Sequence, residues 1–359
     1  MRFDFDTIWK KVKLGEILKI KSGMDQKKIE TSDGKYNIYG TGGIIGKTNT
    51  PIYSKESVGI GRKGTIDKPF YFNEPFWTVD TLFYSEIKSH HVKFIYYLFQ
   101  TINWKFYNQS TGVPSLTSSV IENININIPS SLEEERKIAI FLSEIDERIS
   151  TQKKIINNYK SLINGLIKMY FPNKGLCEVG QTTDLNEILI EGNKISVNTK
   201  HYQKITVKLN KEGIAFSNLN REMSDTRPFY IRNHNEIIIG KQNYFNGSIA
   251  IIPEEYDNTI CSNAIMSFKV KKDYNLKFIY YCISNDLFLK YRSHLANGTG
   301  QKELSEKDFL SFKIILPDEN TQKKIVNNIE KISEKLQLEK KILFLYEQQK
   351  QYLLDKLFI

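Results

Sequence analysis

KKIVNNIEKISEKLQLEKKILFLYEQQKQYLLDKLF, residues 323–358, decides how the chain is organised, because the chain holds a second version of it. Moved back by 187 positions, Lys324 and Ile325 fall on Lys137 and Ile138, Tyr346 falls on Tyr159, and Phe358 falls on Phe171. Both copies carry one apolar rhythm. In the earlier copy Ile138, Leu142, Ile145, Ile149, Ile156, Tyr159, Ile163, Leu166 and Tyr170 keep a four-three spacing interrupted by Gln152. In the later copy Ile325, Ile329, Ile332, Leu336, Leu343, Tyr346, Leu353 and Leu357 do the same, with Glu339 and Lys350 interrupting. A 3.5-residue repeat held for about five heptads keeps one stripe turned toward a partner helix, which predicts a coiled coil.

Charge gives the direction of pairing. Residues 133–147 carry six acids against Arg136 and Lys137, whereas residues 148–171 carry five basic residues and no acid. In the second copy, residues 318–339 nearly balance with five acids and four lysines, and residues 340–358 lean basic with four lysines and two acids. Antiparallel pairing sets acidic against basic halves, and parallel pairing sets basic against basic, so the pair is expected to be antiparallel. The competing reading is that each helix packs on its own globule alone.

The repeat extends beyond the helices. Leu14, Glu16, Ile17 and Leu18 recur as Leu185, Glu187, Ile188 and Leu189, and KFIYY at residues 93–97 recurs letter for letter at 277–281. Thr111-Gly112 recurs as Thr299-Gly300, and Ile128-Pro129 as Leu316-Pro317. Offsets that drift from 171 through 184 to 188 describe one unit copied with changes in loop length. The fold class this predicts is α+β: two β-rich domains in tandem, separated by two long helices that form an antiparallel coiled coil. The expected boundaries are 1–129, 130–172, 173–317 and 318–359.

Within each globule, ESVGIG (56–61), TVDTLFYSEI (78–87), NEIIIG (235–240), SIAIIP (248–253) and AIMSFKV (264–270) read as short strands, being β-branched or aromatic and bounded by Gly, Pro or Asn. One helix is expected in each globule, at about 91–108 and 275–294, where apolar residues recur at three and four. Pro129 and Pro317 sit where a strand stops, and acids follow at once, as a helix N-terminus prefers.

With 359 residues, 40% of them hydrophobic, and with 21 Phe and 20 Tyr, the chain can build two ordinary cores. No run approaches a membrane span, and MRFDFDTIWK lacks a signal-peptide apolar core, so a cytoplasmic location with no membrane partner is expected. Cys177, Cys261 and Cys282 are odd in number and lack CxxC spacing, which fits a reducing compartment and argues against a structural metal. A net charge of +10 and a pI of about 9.1 suit a polyanionic partner.

TGGIIGKT (41–48) has Thr41 where a phosphate-binding loop needs its first Gly, and Pro51 follows too soon for the required helix. GIGRKG (59–64) meets a dinucleotide pattern in letters, but Pro69 forbids the helix. Both read better as turns at the tips of a β-rich globule, exposing Tyr39, Thr41, Lys47, Arg62, Lys63 and Thr65, with Thr111 and Ser115 from a later polar loop. Arg suits the paired acceptors of guanine, while Lys, Thr and Tyr can hold phosphates. The corresponding second set is Lys241, Gln242, Asn243, Tyr244 and Asn246, whose amides suit adenine edges, joined by Thr299, Gln301 and Lys302. Solvated hairpin turns are the alternative for any one of these residues. No Asn/Asp-Pro-Pro-aromatic tetrapeptide, no cofactor loop in Rossmann context and no His-acid cluster of metal-ligand spacing is present, so neither catalysis nor a cofactor or metal is expected.

In its WKKVKLGEI opening (9–17), YGTGG (39–43), GRKGT (61–65), the helix-loop-strand-Pro run from Phe94 to Pro129, and the helix beginning near EERKI (134–138), the chain resembles the specificity (S) subunits of type I restriction-modification enzymes, over nearly its whole length. The resemblance implies two target recognition domains, each reading half of a split, asymmetric site in double-stranded DNA. It implies that the paired helices act as spacer and dock two methyltransferase (M) subunits, to which endonuclease (R) subunits can add. The chemistry would then belong to those SAM- and ATP-dependent partners. The second globule departs from the pattern, opening with TTDLNEIL and lacking the YGTGG letters. The alternatives are a system whose methyltransferase and nuclease are fused, a stand-alone coiled-coil DNA-binding or adaptor protein, and an enzyme acting alone on nucleic acid.

Overall fold

The computed structural model describes residues 8–217, 227–295 and 303–358. The chain forms two compact units, Met1–Lys154 with Lys340–Ile359, and Ile155–Glu339, so both long helices contribute to both units.

The first unit opens with the strand Trp9–Lys13, a single helical turn Leu14–Ile17 and the strand Leu18–Ser22. Trp9–Lys13 pairs antiparallel with Asn125–Pro129, the strand that leads into the first long helix. Leu18–Ser22 forms one edge of an antiparallel sheet that continues through Leu82–Ile87 and Ser57–Gly61 to Phe70–Phe72. Ser57–Gly61 is buried along its whole length, which explains why its sequence is small and apolar without alternation. A second sheet holds the hairpin Tyr36–Gly40 and Gly43–Thr48, with Phe76–Thr78 parallel to the first of these. The expected strand over 78–87 is therefore two strands in different sheets, divided by a turn in which Leu82 N donates to Val79 O at 2.9 Å.

The second unit repeats this frame. Gln181–Asp184, Leu185–Ile188 and Leu189–Glu191 replace the opening strand, turn and strand, and the sheet runs Leu189–Glu191, Ile265–Val270, Ile237–Gly240, Ile249–Ile251. Equivalent backbone bonds recur. Leu14 N donates to Ile124 O and Leu185 N to Phe312 O, both at 2.9 Å, and Lys88 N and Lys271 N donate to Ile17 O and Ile188 O at 2.9 and 3.0 Å.

Both globule helices are shorter than their apolar spacing suggests. The first is Val92–Thr101, followed by a separate 3-10 turn Trp104–Tyr107, where the buried Trp104 indole donates to Phe99 O at 2.8 Å. The second stops at Ser284 and restarts at Asp286, because Asn285 between them is extended, with φ −72° and ψ 149°. The enclosed Asn285 side chain accepts from Phe288 N at 2.8 Å and donates to Cys282 O at 2.7 Å, capping both ends.

The long helices are Leu132–Tyr170 and Glu319–Leu357, 39 residues each and about 58 Å long at 1.5 Å per residue. In the first unit Ile138, Leu142, Ile145 and Ile149 share one core with Leu353, Leu354 and Leu357, and Leu343 and Tyr346 pack against it half-buried. There Asp146 pairs with Lys350 at 2.7 Å and Lys153 with Glu347 at 3.2 Å, so numbers rise on one helix as they fall on the other. In the second unit Phe171 shares a core with Ile325, Val326 and Ile329, flanked by Ile163 and Leu166, and Asn328 donates to the Tyr170 hydroxyl at 2.7 Å. Ile156 and Leu336 are buried; Tyr159 and Ile332 are half-buried. Of the residues that break the repeat, Gln152 is buried in the seam, and Lys350 makes the Asp146 pair just described.

Candidate nucleic-acid interface

In the first unit the strand Ser57–Gly61 ends against a tight turn, and Gly61 is forced by space: a Cβ there would lie 2.0 Å from Thr65 O. Arg62 follows at once. Its backbone is fixed from two directions, with Arg62 N donating to Thr81 O at 2.7 Å and Leu116 N donating to Arg62 O at 2.9 Å. Its guanidinium lies 6.0 Å over the Phe83 ring, and Nη1 reaches Asp80 O at 3.3 Å. Gly64, at φ +88°, turns the chain so that its N–H meets Pro114 O at 2.9 Å, and Lys63 bridges Ser115. These bonds bring Arg62 and Lys63 beside Ser115, about fifty positions away in sequence; Thr65 follows on the same turn, and Thr111 is exposed on the loop four residues before Ser115. Thr41 joins them, since its Oγ1 lies 3.6 Å from where a Cβ on Gly64 would be.

Two expected residues of this unit stand apart. Lys47 is exposed, but it pairs with Asn37 well back from the hairpin tip. Tyr39 is half-buried, its ring 5.0 Å from Phe72 and 6.2 Å from Phe70, so most of its surface belongs to an aromatic core. Sequence reading missed the exposed apolar residues around this face, Ile44, Ile45 and Val113.

In the second unit Ile237–Gly240 occupies the place of Ser57–Gly61, and Lys241 the place of Arg62. Lys241 O accepts from Leu304 N at 3.0 Å, the counterpart of the Leu116 bond. Gln242, Asn243 and Asn246 are exposed on the turn that follows, with Asn246 Nδ2 donating to Asn243 Oδ1 at 3.1 Å. Tyr244 is a correction. It is fully enclosed, and its hydroxyl donates to Ile283 O at 2.6 Å, so it anchors the turn in the core and cannot meet a base. Its neighbour Phe245 is half-buried and packs against the same core, its ring 5.0 Å from that of Tyr244. Thr299, Gln301 and Lys302 lie outside the described residues.

A cleft of about 300 Å³ opens beside this turn, lined by Lys204, Thr206, Ser217, Arg227, Lys241, Gln242 and others. Lys204 stands 4.7 Å over the Phe229 ring. Lys204 and Arg227 were invisible to sequence reading because they come from segments without glycine-rich turns. A neighbouring cleft of about 200 Å³ holds Lys194, Arg232, Lys241 and Glu306.

Among the described residues, no three His, Cys, Asp or Glu side chains cluster to hold a metal ion. All three cysteines are buried, and burial pushes the Cys177 thiol up to about 11, far from a nucleophile's range. No helix among the described residues is long and apolar enough to cross a membrane.

A family model, the type I restriction modification DNA specificity domain, matches residues 7–160 and again 169–344. The chain is 23% identical over 264 residues to the type I restriction enzyme MjaVIII specificity subunit of Methanocaldococcus jannaschii, an alignment covering 66% of this chain and 62% of that protein. It is 28% identical over 173 residues to the putative type I specificity subunit S.MpnORF638P of Mycoplasma pneumoniae, covering 45% of each. The chain thus spans less than two thirds of the length of these relatives. Its fold matches the S subunit of a type I restriction-modification system from M. genitalium, with TM-score 0.66 and 18% identity, covering 100% of this chain and 98% of that one. A chain from a structure concerned with complex assembly and conformational transition of the type I R-M system matches with TM-score 0.53 and 14% identity, covering 98% of each.

Proposed function

The chain belongs to the type I restriction modification DNA specificity domain family, and on that premise we propose that it is the non-catalytic sequence-reading subunit of a type I restriction-modification complex. Each globule, 1–129 and 173–317, reads one half of a bipartite, asymmetric double-stranded DNA site. The segments 130–172 and 318–359, which carry the long helices, act as spacer and as docking surface for two methyltransferase subunits, with endonuclease subunits as further partners in the cytoplasm. The observation that carries this is duplication at the level of single bonds. Arg62 and Lys241 present a cation at the same point of two copies of one frame, while the side chains around them differ, as two half-sites of different sequence require.

The docking surface is supported by residues that the seam leaves outside. Ile342, Leu345 and Tyr352 follow each other at three and seven positions on the part of the second long helix that belongs to the first unit, all exposed. A second helix face of this kind calls for another chain. The stand-alone dimerising adaptor is disfavoured because, in each unit, the seam closes between helices of one chain.

The deciding experiment is to express the chain with its methyltransferase subunit and map methylated adenines across the genome. A split motif with a fixed gap is expected; methylation without such a motif, or methyl transfer by this chain alone, overturns the proposal.

A further inference from the structure

Resting on the DNA-reading function just proposed, the two units can be compared at the cation that each places at the end of its central strand. Beside Arg62, the short helix packed on the reading loop begins with Thr117 as its cap and Ser118 as its first residue. Beside Lys241, the matching helix begins with Ser305 and Glu306. Thr117 Oγ1 accepts from Val120 N, and Ser305 Oγ from Asp308 N. Leu116 and Leu304 make the same bond to the cation's carbonyl. The frame is therefore complete in the first unit without any carboxylate at this point, and Glu306 is an addition that the fold does not need.

Glu306 is also arranged unusually for a surface acid. Its Oε2 accepts from Lys194 Nζ at 2.5 Å, and Lys194 is itself tied to Glu191 at 2.6 Å, which fixes the carboxylate. Its Oε1 faces Lys241 Nζ at the looser distance of 3.5 Å. Both groups line the same open cleft, with side chains about one-fifth exposed (21% and 22%). A donor and an acceptor are thus held side by side in the lining of the cleft.

We propose that Lys241 and Glu306 together read one G·C base pair in the half-site of the second unit, the ammonium taking guanine O6 and N7 and the carboxylate accepting from cytosine N4. The spacing fits. Guanine O6 and cytosine N4 are hydrogen-bonded to each other, so they lie about 2.9 Å apart, close to the Lys241–Glu306 separation. The same pair of groups rejects thymine–adenine, although O4 and N6 offer a similar acceptor and donor. There the thymine methyl replaces guanine N7 against the ammonium, and adenine N7 sets a lone pair against the carboxylate. With orientation fixed by Lys194, the ion pair is a specificity element and not only a surface bridge. The first unit, with Ser118 in place of Glu306, reads its guanine through Arg62 alone and imposes less on the opposite strand.

The test uses the full chain assembled with its methyltransferase subunit, scored by the methylated motif. Glu306→Gln is expected to lower discrimination at a single G·C position of one half-site by about 5- to 150-fold, with the other half-site unchanged. Lys241→Met is expected to relax that same position, and decides the matter should Glu306→Gln fail to assemble. An unaltered motif in both variants, relaxation at two different positions, or a uniform loss of methylation with the motif intact overturns the inference and leaves the DNA-reading function standing. A wild-type complex that methylates no split motif overturns both, and is seen before any variant is made.

Discussion

Arg62 and Lys63 are neighbours in different surroundings. Arg62 is half-buried, held over Phe83 and hydrogen-bonded at its backbone on both sides, so its head group has a fixed direction; Lys63 is exposed. Arg62→Ala should therefore relax preference at one base of the first half-site, by about 1 to 3 kcal/mol, whereas Lys63→Ala should weaken all sequences alike and reduce the salt slope by about one unit. Binding of the assembled complex to wild-type and single-base-variant duplexes at several salt concentrations separates the two; equal effects of both substitutions would remove Arg62 from the reading face. A second residue-scale outcome concerns His91. Burial holds its pKa below the usual 6.5, only partly offset by Glu135 and Glu56, and its Nδ1 is enclosed without a hydrogen-bond partner. The unfolded chain then takes up the proton at higher pH than the folded chain, so stability present above about pH 6.5 is lost as pH falls below it. Urea unfolding at pH 7.5, 6.0 and 5.0 should show a shallower acid loss in His91→Gln than in wild type; parallel slopes would rule His91 out as the source.

Each globule is pinned to a long helix by the tyrosine that ends its KFIYY repeat, and the two pins are built in opposite order. Tyr97 donates to Asp146 at 2.8 Å, with Ser143 one turn earlier at 3.3 Å. Tyr281 donates to Glu330, with Ser333 one turn later as a second partner. The positions correspond, so acid and serine have changed places while the pair has survived. Lys350 and Lys277 balance the two carboxylates. Tyr97→Phe and Tyr281→Phe should each cost about 1.5 to 3 kcal/mol, the worth of a hydrogen bond to a charged group, measured by chemical unfolding. A loss below about 0.5 kcal/mol would mean that apolar packing alone holds the globule. Within the seam, Ile145 is 3% exposed, so Ile145→Asp sets an unpaired carboxylate against the Leu353–Leu357 layer and should cost more than about 3 kcal/mol. Ile332→Asp, at a half-buried position, should cost less. In a pull-down the double variant should lose the methyltransferase subunit; retention at wild-type level would place docking elsewhere.

For the molecule as a whole, closure of both seams within one chain has a hydrodynamic consequence. Sedimentation of the isolated protein should give the mass of one 41.9 kDa chain at every concentration, while a mass that doubles with concentration would favour the dimerising adaptor. The net charge of +10 adds that affinity for DNA, specific or not, should fall steeply with salt.

The tandem frame, the two long helices, their direction and the seam were legible in the letters, because a heptad stripe and a duplicated segment are periodic, and periodicity survives without coordinates. Charge polarity sufficed for antiparallel pairing because a parallel pair would set basic half against basic half, whereas the observed register sets Asp146 against Lys350 and Lys153 against Glu347. What only the tertiary structure decided are the points where distant segments meet. The union of Arg62 with Ser115, the burial of Tyr244 that its Asn-rich neighbourhood conceals, the helix break at Asn285 and the Lys194–Glu306–Lys241 network all depend on loops brought together by sheet pairing. A side chain's exposure and its partners are fixed by contacts distant in sequence, and no local pattern records them.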